Sequence, residues 1–171
     1  TLTPLAPLAY STTYTATITG GASGVKDLAG NALVVDRVWT FATAAPPDTT
    51  PPTVTATVPV SGATGVAVTA SVTATFSEAM TASSVTSATF TLKNASNVGV
   101  AAAVSYVGTT ATLTPLAPLA YSTTYTATIT GGASGVKDLA GNALAVDRVW
   151  TFVSAPDPLG CPCSLWNLST T

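Results

Sequence analysis

A long internal repeat constrains the fold of this chain more than any other feature of its sequence. Residues 1–41 recur at residues 112–152, at a constant offset of 111 residues and without a gap. Of the 41 positions, 40 are identical, and only Val34 differs, being replaced by Ala145. Such duplication indicates a tandem array in which each repeat is one folding unit, with a period typical of one small domain.

The repeat divides the chain into four segments. Residues 1–45 form the C-terminal part of a truncated repeat, and residues 54–154 form a complete one. Between them, residues 46–53 include four prolines, which favour an extended, semi-rigid polyproline linker. We assign residues 155–171 to a second linker and the start of a following domain.

The composition favours an all-β protein. Hydrophobic residues make up 47% of the chain, whereas charged residues make up only 7%, so a packed core is expected rather than disorder. Many residues are β-branched, which suits a pleated, half-buried surface. The net charge of −2 excludes nucleic-acid binding through phosphate neutralisation. No apolar run approaches the roughly 18 residues that a membrane helix needs, so we expect no membrane insertion.

Alternating apolar residues predict seven short strands in the complete repeat. For example, Phe76 continues an alternation with polar neighbours, and Trp150 and Phe152 share a face. Residues 61–65 are predicted to be a turn. Seven strands in about 100 residues, with frequent turns, are typical of a β-sandwich. The predicted strands cover residues 54–59, 71–76, 89–92, 100–106, 111–114, 125–129 and 146–152.

A tyrosine near the start of the sixth of these strands suggests a specific corner. Leu119 lies six residues before Tyr125. In sandwich folds a tyrosine here bonds its hydroxyl to nearby backbone and holds the corner between two strands. The alternative is an ordinary strand tyrosine with its ring in the core and its hydroxyl in water.

Several motifs together resemble a known family. They are VPVSGATGV at residues 58–66, FSEAM at 76–80, LTP at 113–115, LAYSTTY at 119–125, VKDLAGN at 136–142 and VWTF at 149–152. This combination is similar to the bacterial immunoglobulin-like domain first described in S-layer proteins. The resemblance covers residues 54–153 and 1–42, and it implies an immunoglobulin-like Greek-key β-sandwich. Ala79 departs from the family, which often carries proline there.

The C-terminal tail resembles the opening of a different module. Residues 159–166 are similar to a domain of unknown function that often follows such repeats and starts with Cys-Pro-Cys. Cys161 and Cys163 are too few for a tetrahedral zinc site, and the chain has no histidine. We expect them to form a disulfide, either with each other or with cysteines elsewhere, although a bridge between residues so close would be strained.

The turn after the sixth strand admits two interpretations. Asp138 and Asp147 supply hard oxygen ligands that calcium accepts, which makes them weak calcium candidates. The alternative is turn chemistry, with Asp138 bonding to local backbone and Gly141 or Asn142 adopting a positive φ. Two carboxylates are few for a tight site, so we expect no resident cofactor.

No set of residues predicts catalysis. Glu78 is the only glutamate, and without histidine no serine or threonine has a triad base. We therefore expect the chain not to be an enzyme.

Three functions fit these features. The first is a structural spacer in a large secreted or cell-surface protein, in contact with neighbouring repeats. The second is an adhesion or carbohydrate-binding module for a surface glycan or protein, with Trp39 and Trp150 as candidate platform residues. The third is an accessory domain of a secreted enzyme. In each case we expect an extracellular or cell-surface location.

The truncated copy carries an apolar face with no partner sheet of its own. Tyr14, Ala16 and Ile18 alternate along its first predicted strand. Because an isolated strand pair is marginal in water, we expect this segment to be frayed, docked on the complete repeat or swapped into a neighbour.

Overall fold

The computed structural model describes residues 1–159, which fall into two compact units, residues 1–48 and residues from 49 onward. The first unit holds two strands and the second holds eight, together with a short 3-10 turn at Ala82–Ser84. In the first unit the strands are β1 (Thr13–Ile18) and β2 (Arg37–Ala42). In the second they are β3 (Val54–Val58), β4 (Ala63–Val66), β5 (Val72–Phe76), β6 (Phe90–Asn94), β7 (Ala102–Val107), β8 (Thr110–Pro115), β9 (Thr124–Ile129) and β10 (Arg148–Ser154).

The eight strands of the second unit form two four-stranded sheets. One has the order β3-β5-β8-β7 and is antiparallel throughout. The other has the order β4-β10-β9-β6, in which β4 alone runs parallel to its neighbour. The chain thus crosses between the sheets several times, as an immunoglobulin-like sandwich requires. The predicted all-β sandwich class is confirmed.

The core lies between the two sheets because alternate residues of each strand face inward. In β5 the buried positions are Val72, Ala74 and Phe76, which are separated by half-buried threonines. From the other sheet, the rings of Phe90 and Trp150 meet with centroids 6.0 Å apart. The buried apolar side chains form one cluster that includes residues of both sheets. Period-2 patterning therefore predicted the inward face correctly.

The structure corrects the sequence prediction at one strand. Residues 61–65 were predicted to be a turn, yet β4 begins at Ala63 and pairs with β10 through Phe152 and Ser154. Gly62 and Gly65 have φ values of +80° and +68°, and the register shifts between the two pairs. The sequence did not predict this edge strand, because its glycines and polar residues give no alternating apolar pattern. The irregular pairing of β4 with β10 does not need such a pattern.

The first unit is a hairpin that repeats the geometry of β9 and β10. The pairing runs from Thr13 opposite Ala42 to Ile18 opposite Arg37, the register of the later copy. Burial is what differs. Trp39 and Phe41 are 45% and 43% exposed, whereas their counterparts in the sandwich are 2% and 1% exposed. The sequence thus suffices for pairing, whereas burial depends on a facing sheet.

Within residues 1–159, no helix has the length and apolar character required to cross a membrane.

Candidate functional site at the Asp138 turn

The turn between β9 and β10 is built around a buried carboxylate. Asp138 is 1% exposed. Its two carboxylate oxygens accept hydrogen bonds from the backbone and the side-chain N–H groups of Asn142, each at 2.8 Å. In return the backbone N–H of Asp138 donates to the carbonyl of Asn142 at 3.0 Å. Gly141 adopts a φ of +94°, which lets the chain reverse inside this ring of bonds.

The same bonds set the ionisation of Asp138. Burial raises the pKa of this carboxyl group, but the hydrogen bonds from Asn142, Gly141 and Ala140 outweigh burial and hold the pKa below its usual value. In the first copy, Asp27 makes equivalent bonds to Asn31 at 2.8 and 2.9 Å on an exposed turn. There the side-chain bond from Asn31 is the main cause of a lowered pKa.

The turn is joined to a segment far away in sequence. Thr81 donates its backbone N–H to the carbonyl of Lys137 at 2.8 Å, and its hydroxyl to the carbonyl of Asp138 at 2.6 Å. The hydroxyl of Ser84 accepts from the backbone N–H of Lys137 at 3.0 Å. Met80 also forms an isolated antiparallel bridge with Asp138. Two motifs that the sequence shows separately, FSEAM and VKDLAGN, therefore meet at this site.

The structure brings Glu78, rather than Asp147, close to Asp138. Carboxylate oxygens of Glu78 and Asp138 lie within 4.8 Å of each other. Asp147 instead accepts a hydrogen bond from the backbone N–H of Gly131 at 2.8 Å. This bond joins the two ends of the segment that connects β9 to β10. Sequence reasoning chose Asp147 because it is close along the chain, whereas Glu78 is close only through tertiary contact.

The corner tyrosine bonds back to the chain before β9. The Tyr125 hydroxyl accepts the backbone N–H of Ala120 at 2.8 Å. Leu119, beside it, is buried, and its backbone N–H donates to the carbonyl of Val68 at 2.8 Å. The Tyr125 ring stacks on Phe152 with centroids 5.7 Å apart. This geometry matches the corner interpretation rather than a hydroxyl in water.

Most aromatic side chains of the described sandwich face its interior. Trp150 is buried, and within the described residues its indole N–H has no hydrogen-bond partner, so packing alone holds the ring. In the described part of the second unit, Tyr121 is the exposed aromatic side chain. Within the described residues, the second unit therefore exposes no pair of aromatic rings. Trp39, the other candidate, lies half-exposed on the hairpin.

A shallow groove between β6 and residues 99–102 has a volume of about 380 Å³. Its lining includes Lys93 and Ser87 but no carboxylate. The pair of carboxylates that glycosidases use is therefore not present in this lining. At the Asp138 turn, the described residues form a closed set of hydrogen bonds within the chain.

Cys161 and Cys163, and with them the predicted disulfide, lie outside the described residues. The resemblance of the tail to another module rests on the same part of the chain, so both stay predictions.

Two facing sheets, a parallel edge strand and a tyrosine corner define an immunoglobulin-like β-sandwich. Residues 1–43 and 48–154 match the bacterial Ig-like domain, and the chain belongs to that family. The resemblance drawn from the motifs is thereby confirmed for these residues. No curated protein matches the sequence closely enough to count as a relative.

Solved structures of S-layer proteins are also similar to this chain. The crystal structure of the S-layer protein rSbsC(31-844) is 21% identical, with a TM-score of 0.47, over 63% of this chain and 14% of that one. The N-terminal part of the bacterial S-layer protein SbsC is 20% identical, with a TM-score of 0.46, over 61% of this chain and 24% of that one. The chain therefore spans a small part of these proteins.

Proposed function

We propose that this chain is a non-catalytic structural module of a large secreted or cell-surface bacterial protein, in which Ig-like sandwiches act as spacers. The observation that carries the proposal is the near-identity of the two copies, at 40 of 41 positions, including exposed ones. A spacer needs length and stability, so one sequence serves at every position of an array.

The interior of the sandwich supports this proposal. The buried aromatic side chains and the buried carboxylate of Asp138 make their contacts inside the described sandwich. Pro-rich residues 46–53 suit an extended linker between modules. The partners that we propose are neighbouring repeats of the same chain, and the location is extracellular or on the cell surface.

Surface labelling of the source bacterium tests the location on which the proposal depends. An antibody raised against residues 54–154 should label intact cells or detect the protein in the culture medium, and protease treatment of intact cells should remove the cell-bound label. Labelling only after the cells are opened would refute the proposal.

Two alternatives predicted from the sequence stay open. A carbohydrate-binding module should retain glycans on an array probed with the full chain, and an array without binding would count against it. An accessory domain of a secreted enzyme differs from a spacer in what it is attached to. The complete open reading frame shows whether a catalytic domain is present.

Calcium binding at the Asp138 turn also stays a prediction. Both oxygens of Asp138 already accept bonds from Asn142, and a carboxylate oxygen of Glu78 lies within 4.8 Å of Asp138. Thermal melting with excess calcium and with excess chelator is the test. A midpoint that calcium raises in the wild-type chain but not in E78Q would establish the site, and equal midpoints would end the idea.

A further inference from the structure

The sheet β3-β5-β8-β7 ends at a regular strand with an open outer edge. All six residues of β7 pair with β8 in an unbroken antiparallel register. The backbone N–H of Leu116 donates to the carbonyl of Ala101, so hydrogen-bonded pairs recur at every second residue along β7 from there. The backbone groups of Ala102, Val104 and Tyr106 therefore point away from β8. Among the described residues, β8 is the one strand hydrogen-bonded to β7.

The burial of the side chains agrees with an open edge. Val104 and Tyr106 face the core but are only half-buried, and they belong to the residues packed against its margin. Their neighbours in β8, Leu113 and Ala111, are buried. The shallow groove beside β6 includes Ala102 and Leu113 in its lining, so the core is accessible along this side. An additional strand beside β7 would bury these apolar side chains further.

The other three edge strands of the described sandwich have features that hinder pairing with another chain. β3 has a shift in register and is flanked by Pro52 and Pro59. β4 has four residues and pairs irregularly with β10. β6 carries Lys93, and the carbonyl of Leu92 on its outer edge accepts the backbone N–H of Val100. Natural sheets use such features to keep their edges from pairing, and β7 has none of them.

We propose that the outer edge of β7 is a docking surface for β7 of a second copy of this chain, in an antiparallel pair centred on Val104. In this register Val104 lies opposite Val104 of the second copy, and Ala102 lies opposite Tyr106. The outward N–H and C=O groups of these three residues then bond to one another in both directions. The two four-stranded sheets become one sheet of eight strands. In this mode of recognition, the main-chain hydrogen bonds provide the affinity.

The sequence of β7 favours a second copy as the occupant. A two-fold axis brings identical strands together, so any charge on the strand would face a like charge. The strand AAVSYV carries no charge, and its outward residues Ala103 and Ser105, which lie opposite each other in the pair, are small and exposed. Because the other described edges hinder pairing, β7 is the edge at which two copies meet. The pair occupies both edges, so the assembly closes as a dimer.

Sedimentation velocity of the full chain over a series of concentrations tests the proposal. We expect an equilibrium between monomer and dimer that ends at the dimer. S105K places a lysine on each strand beside the two-fold axis, so we expect the dissociation constant to rise by about tenfold or more. The matched control is A56K, which adds the same charge at an exposed position of β3, the opposite edge of the same sheet. A56K should form dimers as the wild type does.

Hydrogen exchange of the wild-type chain tests the edge itself. The amides of Ala102, Val104 and Tyr106 should exchange more slowly where the dimer predominates than where the monomer does. An unchanged urea midpoint of dilute S105K shows that this variant keeps its fold.

Three results overturn the proposal. The first is a wild-type chain that stays monomeric up to about 1 mM, which leaves the edge to a strand of another protein. The second is equal dimerisation of S105K and A56K. The third is a dimer in which the exchange of the β7 amides is unchanged.

Discussion

The hydroxyl of Tyr125 accepts a hydrogen bond from the backbone N–H of Ala120, 2.8 Å away. This bond joins the buried start of β9 to the loop that brings the chain across from β8. In the first copy, Tyr14 accepts from Ala9 at 3.0 Å. The local sequence therefore forms the corner even where no facing sheet covers the ring.

We expect Y125F to lower the free energy of unfolding of the sandwich by about 1 kcal/mol, since it removes one hydrogen bond and leaves the packing of the ring intact. Urea unfolding should show a lower midpoint with the same slope. Y14F removes the equivalent bond from the other unit and should leave the sandwich transition unchanged. Equal effects of the two substitutions would contradict this account.

Asp138 should make the stability of the sandwich depend on pH in the acidic range. Its folded-state pKa lies below the ordinary value of about 3.9 that it regains on unfolding. The stabilisation is therefore complete above that ordinary value and is lost as pH falls through it towards the lower, folded-state pKa.

We expect D138N to be less stable than the wild type at neutral pH and to lose less stability on acidification. Urea unfolding across a pH series measures both effects. D27N is the matched control, because its turn is in the first unit and the sandwich should keep its full acid sensitivity. Parallel pH curves for the wild type and D138N would contradict the assignment.

Leu92 tests the core between the sheets. Leu92 is buried in β6. It lies outside the duplicated segments 1–41 and 112–152, so the chain holds one copy of this residue's segment. We expect L92A to cost about 2–5 kcal/mol, because it leaves a cavity as well as losing burial. V107A, at an exposed position on β7, should stay within about 0.5 kcal/mol. A small effect of L92A would contradict the packing described for this strand.

Gly131 lies where two segments of backbone meet. A Cβ atom at this position would be 2.5 Å from the carbonyl carbon of Val146 and 2.6 Å from its oxygen. We expect G131A to lower the free energy of unfolding of the sandwich by about 1–3 kcal/mol, the usual cost of overpacking. The atoms that the new methyl group would meet belong to the backbone, which cannot move aside as a side chain can. G99A, which meets nothing within 4 Å, is the control. Similar midpoints of thermal melting for G131A and G99A would contradict the explanation by a clash with the backbone of Val146.

Local pattern was a good guide where one face of a strand is buried. The alternation in β5 and the aromatic pair in β10 predicted which side chains face inward, because the side-chain period of a strand is two. It failed at β4, whose glycines and irregular parallel pairing give no alternation. Sequence reasoning also grouped Asp138 with Asp147, because a sequence shows which residues are neighbours along the chain but not which are brought together by folding.

By itself the sequence determined the repeat and the all-β class. It also determined the hairpins with their register and the corner bonds, because the identical segments form the same hairpin and the same corner in both units. Tertiary structure decided burial and the composition of the site. Trp39 and Trp150 occupy identical local sequences, yet one is half-exposed and the other buried. The reason is physical: an apolar face leaves water only when another sheet covers it, and that sheet is formed by residues far away in sequence.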